Sequence, residues 1–197
     1  MPRPRNCDRD EAVIKACNAF WQYGYDALGI RALEALTGLN RFAIQTEFGG
    51  KEGLFLKALE KYTQDAERYL FQPVRTGNLD QIEYLYRQFV TPLPESAQIF
   101  GCLVVNTVVE NAVPARVAIK AHTERHLKLL EEAIGSALVR AKAEGQLAGD
   151  FDVDGAVAFL MGSVMGVQVM IRKAGSIEAA KPYVEMLVKT INAWRVA

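Results

Sequence analysis

The sequence predicts an all-α protein: an N-terminal three-helix unit containing a helix-turn-helix, followed by a larger helical body, about nine helices together. Two observations carry this. Nearly every segment spaces its apolar residues three and four apart, the period of a helix with one buried face. No run of alternating β-branched residues is bounded by turn residues, so no strand is predicted. With 197 residues, 50% of them apolar, the chain can bury one good core or a small module docked on a larger one.

Each element has its own signals. Asp8 or Asp10 can cap a first helix to about Tyr23, with Val13, Ala16, Cys17, Phe20 and Trp21 on its apolar face, and Gly24 stops it. After a turn over 25–29, Ile30, Leu33 and Leu36 are expected to face inward on a short second helix that Gly38 ends. Asn40 suits the N-cap of a third helix reaching Phe48, which Gly49 and Gly50 break. From Lys51 a longer helix runs to about Phe71, residues 73–78 form a loop, and 79–91 the next helix, before a break at Pro92 and Pro94. Residues 101–110 form a short buried helix. Pro114 can sit in the first turn of a long helix reaching Glu144, whose stripe is Ile119, Leu127, Leu130, Ile134 and Leu138. Two apolar helices, roughly 153–173 and 177–196, finish the chain. The division falls near residue 50, giving units 1–50 and 51–197.

Charge and cysteine usage narrow the classes. Lys plus Arg and Asp plus Glu balance at 23 each, with a pI near 6.7, so any nucleic acid must be met locally and not by the overall field. The N-terminal Met-Pro-Arg-Pro-Arg-Asn lacks the apolar core of a signal peptide, and a cytoplasmic location is expected. Cys7, Cys17 and Cys102 form no Cys-x-x-Cys, which argues for free thiols over a disulfide framework or zinc site. Residues 153–171 carry only Asp154 and Gln168 as strongly polar side chains, but glycines and alanines dilute the stretch. It reads as a helix buried on several sides, with no membrane partner expected.

Two short helices joined by a tight turn at Gly38, preceded by a longer helix, form the layout of a helix-turn-helix DNA reader. Ile44 and Phe48 share the face that would pack inward. Phe42 and Thr46 point away from it, with Arg41 and Gln45 on its flank, so the core explains none of these four. Arg pairs with guanine, Gln with adenine, and an apolar ring can touch a thymine methyl. Lys51, at a helix start, suits a phosphate contact.

The run from Gly24 through Gly38-Leu39-Asn40, Phe48, Lys51-Glu52 and Leu54 resembles the N-terminal domain of the tetracycline-repressor (TetR) family of transcriptional regulators. The resemblance covers about the first 60 residues in detail and the remaining helical body in layout. It implies a DNA-binding set of Arg31, Asn40, Arg41, Phe42, Ala43, Gln45, Thr46 and Lys51. Leu28 and Gly29 depart from the usual hydroxyl residues, and Glu34, Gln45 and Glu47 also differ from the pattern. Within 1–50, Arg3, Arg5, Arg9, Lys15, Arg31 and Arg41 are matched by Asp8, Asp10, Glu11, Asp26, Glu34 and Glu47. A neutral reading unit leaves the tail Pro2-Arg3-Pro4-Arg5 as either an added DNA contact or a solvated end.

For the body, the resemblance implies a ligand-binding and dimerisation unit that pairs through its last two helices. Ala158, Gly162, Met165, Gly166, Val169, Met186, Leu187 and Trp194 are the expected dimer interface; the small residues permit close approach and the large ones supply area. Cys102, Asn106, Tyr62, Tyr84, Phe89 and Met161 are the expected effector pocket or sensor. A sensing Cys102 needs exposure and a stabilised thiolate, so a thiol switch and a buried core thiol are both open. His122 and His126 have metal-compatible spacing but lack a third ligand, and a solvated helix face is expected there, with no metal and no cofactor.

The expected function is a repressor that binds a palindromic operator as a homodimer and leaves it when a small-molecule effector binds, and not an enzyme. The alternatives are a Cys102-based electrophile or redox sensor, or a helical ligand-binding or interaction module with weakened DNA binding.

Overall fold

The computed structural model describes residues 8–92, 97–110 and 116–196. The tail residues Pro2 to Arg5, Cys7, Pro94 and Pro114 lie outside the described residues. Ten α-helical segments occur among those described: α1 (Arg9–Tyr23), α2 (Ile30–Thr37), α3 (Arg41–Phe48), α4 (Lys51–Ala66), α5 (Gln72–Thr76), α6 (Leu79–Phe89), α7 (Leu103–Glu110), α8 (Val117–Ala143), α9 (Val153–Ala174) and α10 (Lys181–Ala193). A π turn, Glu67–Phe71, joins α4 to α5 without interruption, so the segments make nine rods.

Three boundaries differ from expectation. Residues 73–76 are helical, not loop, because the wide turn has Gln72 N–H bonding Glu67 O and leaves Pro73, which has no N–H, in the first turn of α5. The described part of α8 begins at Val117, after Pro114. The last helix begins at Lys181, behind a 3-10 turn at Ile177–Ala180 that Ser176 caps.

Two apolar cores result. One joins Phe20, Leu33, Ile44, Leu54, Phe55 and Leu59 of the first four helices, and Leu103, Val104 and Ile119 from the body complete it. Phe20 and Phe55 meet edge to face at 4.7 Å. The other packs α6, α8, α9 and α10 around Ile134, Leu138, Leu160 and Ile191, and the Tyr86 hydroxyl donates to Leu160 O at 2.6 Å. Each fully buried Leu, Ile or Phe contributes roughly 1.5–3 kcal/mol relative to exposure.

Leu36 is the exception in α2: it is 42% exposed, and Thr37 is buried in its stead. The Thr37 hydroxyl donates to Leu33 O and accepts the Leu39 N–H, which satisfies a polar group inside the core and shapes the turn at Gly38. The helix α9 is long and apolar enough to cross a membrane by length and composition; here Leu160, Val164, Val167 and Ile171 lie in the second core.

Candidate DNA-reading head and central cavity

The short α3 is held at both ends. The Asn40 side chain accepts the Ala43 N–H at 2.8 Å, and the Glu34 carboxylate accepts the Arg41 N–H at 2.6 Å. The unexpected Glu34 is thus a second cap on the reading helix, reaching across from α2. At the other end Gly49, in the left-handed region at φ 77°, turns the chain, and Gly50 N–H bonds Ile44 O. A side chain on Gly53 would collide with the Phe48 carbonyl, so the start of α4 lies directly against the end of α3.

Arg41, Phe42, Gln45 and Thr46 are exposed on α3, with Phe42 at 74%. The Thr46 hydroxyl donates back to Phe42 O. Arg31 is exposed at the start of α2, and Asn40 is exposed while its side chain caps α3. Ala43 is a correction: it is 8% exposed and packed in the core beside Ile44, not presented on the outer face of α3. Glu47 pairs with Arg9 of α1, so its charge is not presented alone.

Lys51 is half-buried, its ammonium 4.3 Å from the centre of the Tyr25 ring. The Arg116 guanidinium lies 4.4 Å from the same centre and also bonds Asp26. Burial holds the Lys51 ammonium below its usual value, and the Arg116 charge acts in the same direction. The Glu110 carboxylate accepts the Tyr25 N–H at 3.1 Å. The turn after α1 is therefore gripped by residues on both sides of the α7–α8 connection.

In the body, three cavities adjoin at Tyr62 and Leu70. A groove of about 550 Å³ opens between α1 and α4, lined by Ile14, Cys17, Trp21 and Tyr69. A cavity of about 210 Å³ lies behind it against Trp21, Phe89 and Gln168. A void of about 40 Å³ reaches Cys102 and His126. Of the expected pocket residues, Tyr62, Phe89 and Cys102 come together here. Asn106 lies in a separate recess beside Val109 and Arg172, its amide donating to Phe100 O at 2.8 Å. Tyr84 is a correction, 54% exposed on α6 with none of the three cavities beside it. Met161 is another: it packs against the second core and lines none of them.

Burial pushes the Cys102 thiol above its ordinary value, although the Tyr62 hydroxyl and the Val104 and Val105 N–H groups favour the thiolate. His126 also overturns expectation. It is 3% exposed, its Nδ1 lies 3.0 Å from the Thr63 hydroxyl, and burial lowers its pKa to about 4. Among the described residues no group of three or more His, Cys, Asp or Glu could hold a metal.

On the last two helices, Ala158, Gly162, Val169 and Met186 are exposed, while Met165 and Gly166 are half-buried. Leu187 is a correction, 3% exposed and inside the protomer core. Trp194 is half-buried against Phe151 and Phe159. Trp21, Leu70, His126 and Gln168 also line these cavities, beyond the residues expected from the sequence. The usable signal was Gln168, a lone amide in an apolar stretch.

An all-α chain with a doubly capped reading helix on a trihelical core is a helix-turn-helix regulator. Residues 15–58 match the family described as "Bacterial regulatory proteins, tetR family", and 78–187 match "Tetracyclin repressor-like, C-terminal domain". The chain belongs to the TetR family of transcriptional regulators, which bind DNA and are not enzymes. It is similar to the HTH-type transcriptional repressor ComR of Escherichia coli K12, 27% identical over 183 residues spanning 89% of this chain and 85% of ComR. It is also similar to the uncharacterized HTH-type transcriptional regulator YezE of Bacillus subtilis 168, at 23% over 193 residues, 95% and 99% of the two chains. Among solved structures, a cysteine mutant of the TetR family regulator CifR complexed with 26-bp double-strand operator DNA superposes with a TM-score of 0.83 at 26% identity, covering 95% of this chain and 98% of that one.

Proposed function

We propose that this protein is a cytoplasmic repressor that binds a palindromic operator as a homodimer and leaves it when a small-molecule effector occupies the body, with no membrane partner. Residues 1–50 act as the reading unit and 51–197 as the effector and dimerisation unit. The observation that carries the reading is that Arg41, Phe42, Gln45 and Thr46 are exposed on α3, where packing does not account for them. Arg31, Asn40 and Lys51 add contacts at the helix starts. The operator-bound relative at 26% identity supports the same use of the head.

Ala158, Phe159, Gly162, Val169, Tyr183 and Met186 form the dimer face, because they are exposed apolar or small residues on adjoining helices. The effector acts through α4, which carries Lys51 at one end and Tyr62 at the cavity. Small-molecule control is favoured over a Cys102 thiol switch because burial raises that thiol above its ordinary value, against the thiolate a switch needs. Selection of bound DNA from a random pool, under reducing conditions without effector, should recover a palindrome; a pool without one overturns the proposal.

A further inference from the structure

Resting on the effector reading above, we propose that the effector is an uncharged aromatic molecule with one hydrogen-bonding group, seated between α1, α4, α6 and α9 with its ring against Trp21, Tyr62 and Phe89 and its polar group on the Gln168 amide. The amide is the starting point. Gln168 is 6% exposed, lines both inner cavities, and its side chain has no hydrogen-bond partner among the described residues. The amide atoms are not sealed in protein, since no buried side-chain nitrogen or oxygen among the described residues lacks a partner, so they face the cavities and a ligand there can bond them. Three of the other lining residues are aromatic, beside Leu70, Gln88 and Gly101: Trp21 meets Tyr62 edge to face at 5.2 Å, and Phe89 adds a third ring.

The site selects against charge. No charged residue lines the 210 Å³ cavity among the described residues. The titratable groups that border it or the adjoining void, Tyr62, Cys102 and His126, are each held toward their neutral form by burial. An ionised ligand would meet the same desolvation that these side chains meet. The groove of about 550 Å³ beyond Leu70, whose two charged lining residues Lys61 and Asp65 pair with each other at 2.6 Å, gives a two-ring molecule room and a route inward.

Trp21 gives the site its consequence. Its indole N–H donates to Gly101 O at 2.8 Å, and its own carbonyl accepts from Arg172 of α9 at 3.2 Å. A ring lodged between Trp21 and Tyr62 therefore acts on α1 as well as on α4, and through α1 on the packing of α2.

Two fluorescent probes with one skeleton test the class: neutral N-phenyl-1-naphthylamine and its sulfonated counterpart 1-anilinonaphthalene-8-sulfonate. With the full chain, the neutral probe should bind about tenfold or more tighter than the sulfonate, given the cost of burying an unpaired charge. Gln168→Leu should weaken the neutral probe by about 3- to 10-fold, the worth of one hydrogen bond, and leave the sulfonate unchanged. Gln168→Met provides a second variant if Gln168→Leu melts early. Equal or tighter binding of the sulfonate overturns the proposal, as does neutral-probe affinity unaltered in both variants. Operator binding is read on the same samples without probe. Its absence counts against the repressor reading, whereas loss of the neutral-probe preference counts against the ligand class alone.

Discussion

Arg116 grips Asp26 with two hydrogen bonds, of 2.6 and 3.3 Å, and so ties the start of α8 to the turn between α1 and α2. The bond from Arg116 holds the Asp26 carboxyl below its ordinary 3.8. A lowered carboxylate stabilises the fold above its unfolded pKa and loses that contribution as the pH falls through the folded value. Because Asp26 is largely exposed, the pair contributes only about 0.2–1 kcal/mol. Asp26→Asn should lower stability by that amount in urea melts at pH 7, and the difference should shrink at pH 3. A difference that persists unchanged in acid would show that the bond is not the cause.

His126 provides a larger acid response. Its folded pKa of about 4 lies below the ordinary 6.5, so the unfolded chain takes up the proton first. Stability is complete above pH 6.5 and falls as the pH drops toward 4, by roughly 3 kcal/mol for a shift of this size. His126→Phe, which keeps the ring between Tyr62 and Phe71, should flatten the curve across this window. Parallel curves for the two proteins would refute the assignment.

Gly53 has no room for a methyl group against the Phe48 carbonyl. Gly53→Ala should destabilise the chain by about 1–3 kcal/mol, the ordinary cost of overpacking, even though alanine is the better helix former. Thermal melts decide it: a raised midpoint would mean that α3 and α4 are not in the described contact.

Glu47 holds Arg9. On the proposed reading, Glu47→Gln removes one negative charge from the exposed face of α3 and should steepen the slope of log K against log salt by up to about 1. Arg41→Ala should weaken specific binding by about 1–3 kcal/mol if it reads a base edge. Salt titrations of both variants on the selected operator measure these, and an unchanged slope for Glu47→Gln removes the first.

Helix ends were legible because they depend on neighbours in sequence: Asp8, Gly24, Gly38, Asn40 and Gly49 all act where their residue types predict. The faces of those helices were less legible, since they depend on what arrives from far along the chain. His126 resembles a solvated residue among Glu124, Arg125 and Lys128 until Thr63, 63 positions earlier, covers it. Leu187 and Met186 are equally apolar neighbours, and only the position of α6 and α9 decides which is buried. Glu34 and Glu47 looked like liabilities for DNA binding because their partners, a backbone N–H and Arg9, are not visible as pairs in the sequence.

The π turn has a consequence for chain length. Ala66, Phe71 and Val74 are successive buried positions on the rod, and the interval of five between the first two is one residue longer than an α-helix needs. Deleting one residue from 67–70 would restore an interval of four, shorten the rod by about 1.5 Å, and leave both buried stripes in phase. Elsewhere in the rod the same deletion would rotate one stripe by about 100° and turn it away from its core. The wide turn is thus slack in the register, located where α4 passes from the first core to the second.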